Sequence, residues 1–239
     1  MNRKHLVYDW PTRIFHGLFT ALFLGAFLIT KTVEDESVAF VYYMLLGVML
    51  VFLVVLRLIW GIVGTRYAKF SMFPMHPVSL LRYGKDIITG KTKRNLGHNP
   101  ASAWASVLMM LFALGLGATG YLLTNGEGNK IFEEVHGFMA NALLAVALVH
   151  VAGVLFHTFK HRDGIGWSMI DGKKLEVHGD TPIGSARPIA GILLVLLLAA
   201  FGTAMFRNFD SKNLTLSFRG SVLHLGEVEN EQEDSEKED

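Results

Sequence analysis

Ten histidines occur among the 239 residues, and three of them lie inside long apolar segments: His16, His136 and His150. An ionisable side chain is costly at membrane depth, so a histidine placed there is a functional-site candidate. Haem iron of the b type accepts imidazole on its axial positions without covalent attachment. The chain has no cysteine, which excludes disulfides, thiolate metal sites and haem attached through a Cys-x-x-Cys-His motif. These histidines therefore indicate non-covalent haem binding.

The spacing of two of these histidines is informative. His136 and His150 are separated by fourteen residues. At 100° per residue of helix their side chains return to within about 40° of one direction, and the rise separates them by ~21 Å. This ladder suits two redox centres stacked across a membrane. Zinc fits the spacing less well, because its ligands must converge on one point.

The elements that must hold the histidines are apolar. Of the sequence, 51% is hydrophobic and 18% is charged, and mean hydropathy is +0.36, which excludes an ordinary soluble domain or a disordered chain. Crossing a hydrocarbon core takes about 20 apolar residues of helix. Five runs are near that length: residues 14–29, 38–63, 103–123, 135–159 and 189–206. Pro11 and Thr12 indicate a helix start before the first run, with Thr12 or Asp9 available as its cap. The predicted fold is an all-α integral membrane protein, with a four-helix haem-binding bundle and a fifth transmembrane helix.

Lysine and arginine are concentrated before the first span, between the second and third, and between the fourth and fifth. By the positive-inside rule the N-terminus is cytoplasmic and the C-terminus lies outside. His16 and His150 then reach similar depths near the cytoplasmic leaflet, where they can bracket one haem. His136 lies near the outer face and needs a partner from the outer end of span two or three. The long inner loop contains an amphipathic stretch expected at the membrane interface.

Other ionisable residues have two interpretations each. Arg57, within span two, either snorkels to the interface or binds a haem propionate through paired hydrogen bonds, and the second is favoured. The remaining histidines at the cytoplasmic edge are either solvated or act as proton carriers and walls of a quinone pocket. These are His76, His98, His157 and His161.

Four segments together resemble the bacterial membrane cytochrome b family, which includes nickel–iron hydrogenase cytochrome b subunits and cytochrome b-561-type proteins. They are "YDWPTRIFHG" in span one, "LRLIWGIVGTRYAKF" closing span two, "GHNP" opening span three and "HGFMANALLAVALVHVAGVLFH" in span four. The resemblance covers about residues 6–175. It implies a four-helix haem core that passes electrons between quinone and a partner protein.

The resemblance also implies a set of axial ligands. His16, His136 and His150 match three of the family's ligands, and "GHNP" makes His98 a candidate for the cofactor site. The fourth family ligand lies four residues before a glycine in span two, and here that position holds Tyr43, before Gly47. The outer haem is therefore either absent or held by His136 with Tyr43 or Met44. One or two b haems are expected.

The sequence thus predicts a b-type cytochrome of a bacterial inner membrane. Residues 1–175 would form the cytochrome core, 176–207 a linker and fifth helix, and 208–239 an acidic periplasmic tail. Its partners would be the quinone pool, membrane lipid, and a periplasmic cytochrome c or a redox enzyme subunit, with no nucleic acid. It is expected to be an electron-transfer subunit, with quinone oxidoreductase activity left open. The alternatives are a histidine-containing metal or proton transporter and a haem-free membrane anchor.

The sequence contains two further patterns, a glycine motif and an acidic stretch. Gly115-Leu-Gly-Ala-Thr-Gly120 matches the G-x-G-x-x-G dinucleotide pattern only by letters, because it lies within an apolar span with no preceding strand. Its glycines are expected to permit close helix packing or to leave room beside a haem. The acidic stretch Glu227–Asp239 either solubilises the C-terminus or steers a basic partner protein.

Overall fold

The computed structural model describes residues 4–34, 37–126, 128–177, 181–218 and 221–225. Five of its helices are long and apolar enough to cross a membrane. They are α1 (Trp10–Thr32), α2 (Val41–Val63), α4 (Pro100–Thr124), α5 (Lys130–His161) and α7 (Pro188–Arg207). Each coincides with one of the five predicted spans, so the predicted all-α membrane architecture is confirmed.

Polar caps define where the site-bearing helices begin. The side chain of Asp9 accepts a hydrogen bond from the Thr12 N–H of α1 at 2.9 Å. Asn99 caps α4 in the same way, through a 2.8 Å bond from the Ser102 N–H. Both caps are followed by proline, whose fixed φ suits the first helical turn.

The long helices pack in two main pairs, α1 with α2 and α4 with α5, and α2 joins the pairs by also contacting α4. Leu53 and Val54 of α2 and Leu143 of α5 are fully buried at the centre of this arrangement. Helix α7 packs on the outside, against α1 and α2. The histidine-bearing helices α1 and α5 thus belong to different pairs and face each other across the bundle.

Short elements close the end of the bundle that carries the N-terminus. Strand β1 (Lys4–Leu6) pairs antiparallel with β2 (Lys173–Leu175), which follows the short helix α6 (Ser168–Asp171). The N–H groups of Val7 and Tyr8 both donate to the Gly172 carbonyl. This clasp attaches the start of α1 to the segment that follows α5.

The amphipathic stretch of the inner loop is a helix, α3 (Pro77–Ile88). Two of its apolar side chains, Leu81 and Ile88, are 74% and 88% exposed. An exposed apolar face on an otherwise charged helix is typical of a helix lying in a membrane interface. That placement stays a prediction.

A three-stranded antiparallel sheet follows α7, formed by β3 (Phe209–Asp210), β4 (Thr215–Phe218) and β5 (Ser221–His224). Its leucines pack on the first turns of α2 and the last turn of α7, in a cluster of Val41, Leu45, Met205, Leu214, Leu216 and Leu225. The sequence analysis had placed these strands within an acidic tail and had not predicted a sheet. The acidic stretch Glu227–Asp239 lies outside the described residues.

Candidate functional site

The inner pair of histidines comes from two helices that do not share a packing partner. His16 lies on α1 and His150 on α5, near enough for their charges to interact. Within the part of the chain that the structure describes, no hydrogen bond joins the two imidazoles to each other. Two histidines on different helices whose charges interact are residues that could hold a haem iron between them.

Arg57, on α2, is buried, with 4% of its surface exposed. Its Nη2 donates to the Ala68 carbonyl at 3.0 Å, and its guanidinium carbon lies 5.0 Å from the centre of the Phe70 ring. Its Nη1 is buried and has no hydrogen-bond partner among the described residues. A snorkelling arginine would reach water, whereas this guanidinium is fixed in the protein with one nitrogen left to bind an anion.

Asp9 explains how the buried charge of Arg57 is tolerated. Its carboxylate is fully buried and accepts hydrogen bonds from Trp60 Nε1 at 3.1 Å and from the Thr65 hydroxyl at 2.6 Å. Its negative charge also interacts with Arg57. Sequence reasoning treated Asp9 only as a candidate helix cap. One feature of the sequence could have indicated this second role, because Asp9 is an acidic residue next to an apolar span and Arg57 lies within another. Buried charges of this kind are normally paired.

His98 also belongs to this site. Its ring packs against Phe73, with centroids 4.3 Å apart, and against Tyr8 at 5.7 Å. Burial, and then the positive charges of Lys174, Arg57 and His150, lower the pKa of His98 to about 3. The imidazole is therefore neutral at physiological pH. We refer to His16, His150, Arg57 and His98 as the inner site.

His157 and His161 form a separate cluster at the end of α5. His157 is buried, with its Nδ1 3.5 Å from a carboxylate oxygen of Asp163, and its ring lies 4.4 Å from that of His161. The Nε2 of His161 lies 3.2 Å from the Thr92 hydroxyl. Over the described residues no three His, Cys, Asp or Glu side chains are arranged to hold a metal ion. His76 lies elsewhere and caps α3 by accepting from the Val78 N–H.

The outer histidine has protein partners on both ring nitrogens. His136 Nε2 lies 2.6 Å from the Tyr43 hydroxyl, and its Nδ1 lies 2.8 Å from the Thr119 hydroxyl. Met44, the other predicted partner, instead packs against the cluster formed by α2, α7 and the C-terminal sheet. We refer to Tyr43, His136 and Thr119 as the outer triad.

A family model described as prokaryotic cytochrome b561 matches residues 7–172. The match runs from just after β1 to the glycine before β2 and includes the inner site and the outer triad. Helix α7 and the C-terminal sheet lie beyond it. Comparisons with curated proteins and with solved structures give no significant match.

Proposed function

The chain belongs to the prokaryotic cytochrome b561 family, and on that premise we propose that it relays electrons between the quinone pool and a partner redox protein through haem b at the inner site. Family membership and the five apolar helices make it a multi-pass membrane b-type cytochrome of electron transport. The coordinating residues, the quinone and the partner are the parts that we propose.

The observation that carries the proposal is the set of donors at the inner site. His16 and His150 would be the two axial ligands, and the unpartnered Nη1 of Arg57 would bind a propionate. A carboxylate paired with a guanidinium forms charge-assisted hydrogen bonds, which are the strong ones. The haem supplies one-electron redox chemistry when bound, and the protein supplies ligation, burial and charge pairing.

The chain's own residues hold this donor set in place. Asp9 balances the charge of Arg57, and the Ala68 carbonyl fixes its second nitrogen. His98 contributes a neutral imidazole beside Arg57, because its protonation is suppressed over the physiological range. A neutral ring can donate one hydrogen bond without adding positive charge near the iron.

Quinone chemistry also needs a route for protons. Reduction of a quinone to a quinol takes up protons, and imidazole is suited to hold and pass them. His157 is buried two helical turns beyond His150, roughly 10 Å along α5, and the largely covered Asp163 lies beside it. These residues support a quinone pocket at the cytoplasmic end, with His157 Nδ1 holding the proton next to the Asp163 carboxylate.

The topology and the partner are part of the same proposal. The basic inner loops support a cytoplasmic N-terminus and a periplasmic C-terminus in a bacterial inner membrane. The partner would be a periplasmic cytochrome c or a subunit of a redox enzyme. If the chain can oxidise or reduce quinone without that partner, it would itself have a complete quinone oxidoreductase activity. The division at residues 175 and 207 remains a prediction.

The test is optical. Purified protein should give a reduced-minus-oxidised difference spectrum of b type, and a soluble quinol should reduce it. His16→Ala and His150→Ala should each abolish this spectrum, because either change removes an axial ligand. His224→Ala is the matched control, since His224 is exposed on β5, and it should leave the spectrum unchanged. A wild-type protein without haem would contradict the proposal and favour a transporter or a membrane anchor.

A further inference from the structure

The hydrogen bonds of the outer triad occupy both ring nitrogens of His136. The Thr119 hydroxyl lies 2.9 Å from the Gly115 carbonyl and 2.8 Å from His136 Nδ1. When this hydroxyl donates to the carbonyl, it accepts from Nδ1–H, and Nε2 accepts from the Tyr43 hydroxyl at 2.6 Å. In the other tautomer the Thr119 hydroxyl donates to Nδ1, and Nε2–H donates to the Tyr43 oxygen. In either case Nε2 has no free lone pair.

This geometry does not fit an axial ligand pair. Two ligand atoms on opposite sides of one metal ion are separated by about 4 Å, since each metal–nitrogen bond is about 2 Å long. The Tyr43 oxygen and His136 Nε2 are 2.6 Å apart and share a proton. The lone pair that would bind iron is already used. The outer triad therefore does not fit the haem that the family pattern implies there.

Three glycines of α4 near the outer triad face neighbouring side chains. A Cβ added at Gly115 would lie 2.4 Å from the sulfur of Met139, and one added at Gly117 would lie 2.3 Å from a methyl carbon of Val51. A Cβ at Gly120 would lie 3.6 Å from the His136 ring itself. Of the two interpretations of this glycine pattern, close helix packing is the one observed. The glycines let α2 and α5 approach α4.

The inner and outer sites therefore differ in kind. At the inner site a buried guanidinium nitrogen has no partner among the described residues, and no hydrogen bond in the described chain joins the two imidazoles. At the outer site both imidazole nitrogens are satisfied by protein hydroxyls, and one of these hydroxyls is bonded onward to the backbone. Polar groups that satisfy one another in this way add stability and do not require a ligand.

We propose that the outer triad takes the place of a second haem, so that the chain binds one haem only, at the inner site. This inference rests on the proposed function, because it concerns the number of haems in the same protein. It confines the relay to the cytoplasmic half of the bundle. The redox partner would then dock at the cytoplasmic end, which carries β1 and β2, and not at the outer face expected from the sequence. Of the two partners proposed above, this leaves the subunit of a redox enzyme and excludes a periplasmic cytochrome c.

The experiment is a pyridine haemochrome assay on the purified full-length protein, with the polypeptide quantified by amino-acid analysis. The expected ratio is one haem per chain, with a single low-spin ferric signal in the electron paramagnetic resonance spectrum. A ratio of two would overturn the inference and leave the proposed function standing. A ratio of zero would overturn the proposed function itself, so the two failures are distinguishable.

Variants locate the haem. Tyr43→Phe and His136→Ala should keep one haem with an unchanged absorption spectrum, whereas His150→Ala should lose it. Loss of haem in either outer variant would overturn the inference. Thr119→Val guards against a variant that fails to fold, because it removes only one hydroxyl, with its bonds to His136 Nδ1 and to the Gly115 carbonyl, and keeps a side chain of similar size. It should lower the thermal unfolding temperature while retaining one haem, and haem loss here would also contradict the inference.

Discussion

Asp9→Asn is the substitution whose effect follows most directly from the observed contacts. The carboxylate accepts from the Thr12 N–H through Oδ1 and from the Thr65 hydroxyl through Oδ2. Trp60 Nε1 donates to both oxygens, at 3.3 Å to Oδ1 and 3.1 Å to Oδ2. Asparagine is nearly isosteric and keeps one oxygen, so it can still cap α1. Its NH₂ group would then face Trp60 and Thr65. The Thr65 hydroxyl can rotate and accept, but the indole nitrogen can only donate.

The expected cost is the loss of the 3.1 Å charge-assisted hydrogen bond from Trp60, which leaves the indole only its longer 3.3 Å bond to the retained oxygen. Hydrogen bonds to charged groups contribute about 1.5–3 kcal/mol. The charge of Arg57 also loses its compensating carboxylate. We expect Asp9→Asn to lower the free energy of unfolding by roughly 2–3 kcal/mol. For a chain of this length that corresponds to a decrease in Tm of roughly 4–12 °C.

Loss of Soret absorbance during a thermal ramp in detergent would measure this change, since it reports release of haem from the unfolding bundle. Asp171→Asn is the matched control, because Asp171 forms a 3.7 Å ion pair with Lys4 between partly exposed side chains, and its hydrogen bond from the Lys173 N–H can be kept by asparagine. Such pairs contribute about 0–1 kcal/mol. If Asp9→Asn melts at the same temperature as Asp171→Asn, the buried carboxylate does not support the inner site and the reasoning is wrong.

Three other substitutions test the site. Arg57→Met should weaken haemin binding to the apoprotein by about 10- to 150-fold, the loss of a charge-assisted bond; unchanged affinity relative to the exposed-site control Arg66→Met would favour the snorkelling interpretation. Tyr43→His should raise the ratio of haem to polypeptide in the haemochrome assay from one towards two. Space is available, because a Cβ added at Gly47, one turn away, would have no atom within 4 Å. No gain in haem would show that Tyr43 is not what closes the outer site. His98 has a folded-state pKa of about 3, below that of an unfolded histidine, so its contribution to stability is complete above pH ~6.5 and declines as the pH falls. His98→Gln should therefore reduce the gain in unfolding free energy between pH 5.0 and 6.5 by about 2 kcal/mol, and an equal gain in both proteins would show that His98 titrates normally.

The membrane spans could be predicted because their signal is local. Apolar runs of sufficient length specify helices wherever they pack, and Pro11 with Asp9 marked the start of α1 correctly. The proximity of His16 and His150 also followed from topology, since two spans of opposite direction carry them to the same depth. Arg57 is buried, which agrees with the interpretation that it binds a haem propionate and does not snorkel to the interface.

Contacts between distant residues could not be predicted in this way. The bonds from Trp60 and Thr65 to Asp9 join residues more than fifty positions apart, and no periodicity reports them. The Tyr43 hydroxyl bonds a histidine 93 positions later along the chain. The C-terminal sheet was missed because its strands are only two to four residues long and precede a strongly acidic stretch that dominated the composition.

The β1–β2 clasp sets an order of events during biosynthesis. Its two strands begin at residues 4 and 173, so the first cannot find its partner until most of the chain has been translated. At 5–20 residues per second this takes roughly 10–30 s. His16 enters the membrane early, and a similar time passes before His150 has been synthesised. If His16 and His150 hold the haem as proposed, its insertion must wait until four spans are in place, whereas α7 and the C-terminal sheet are made last.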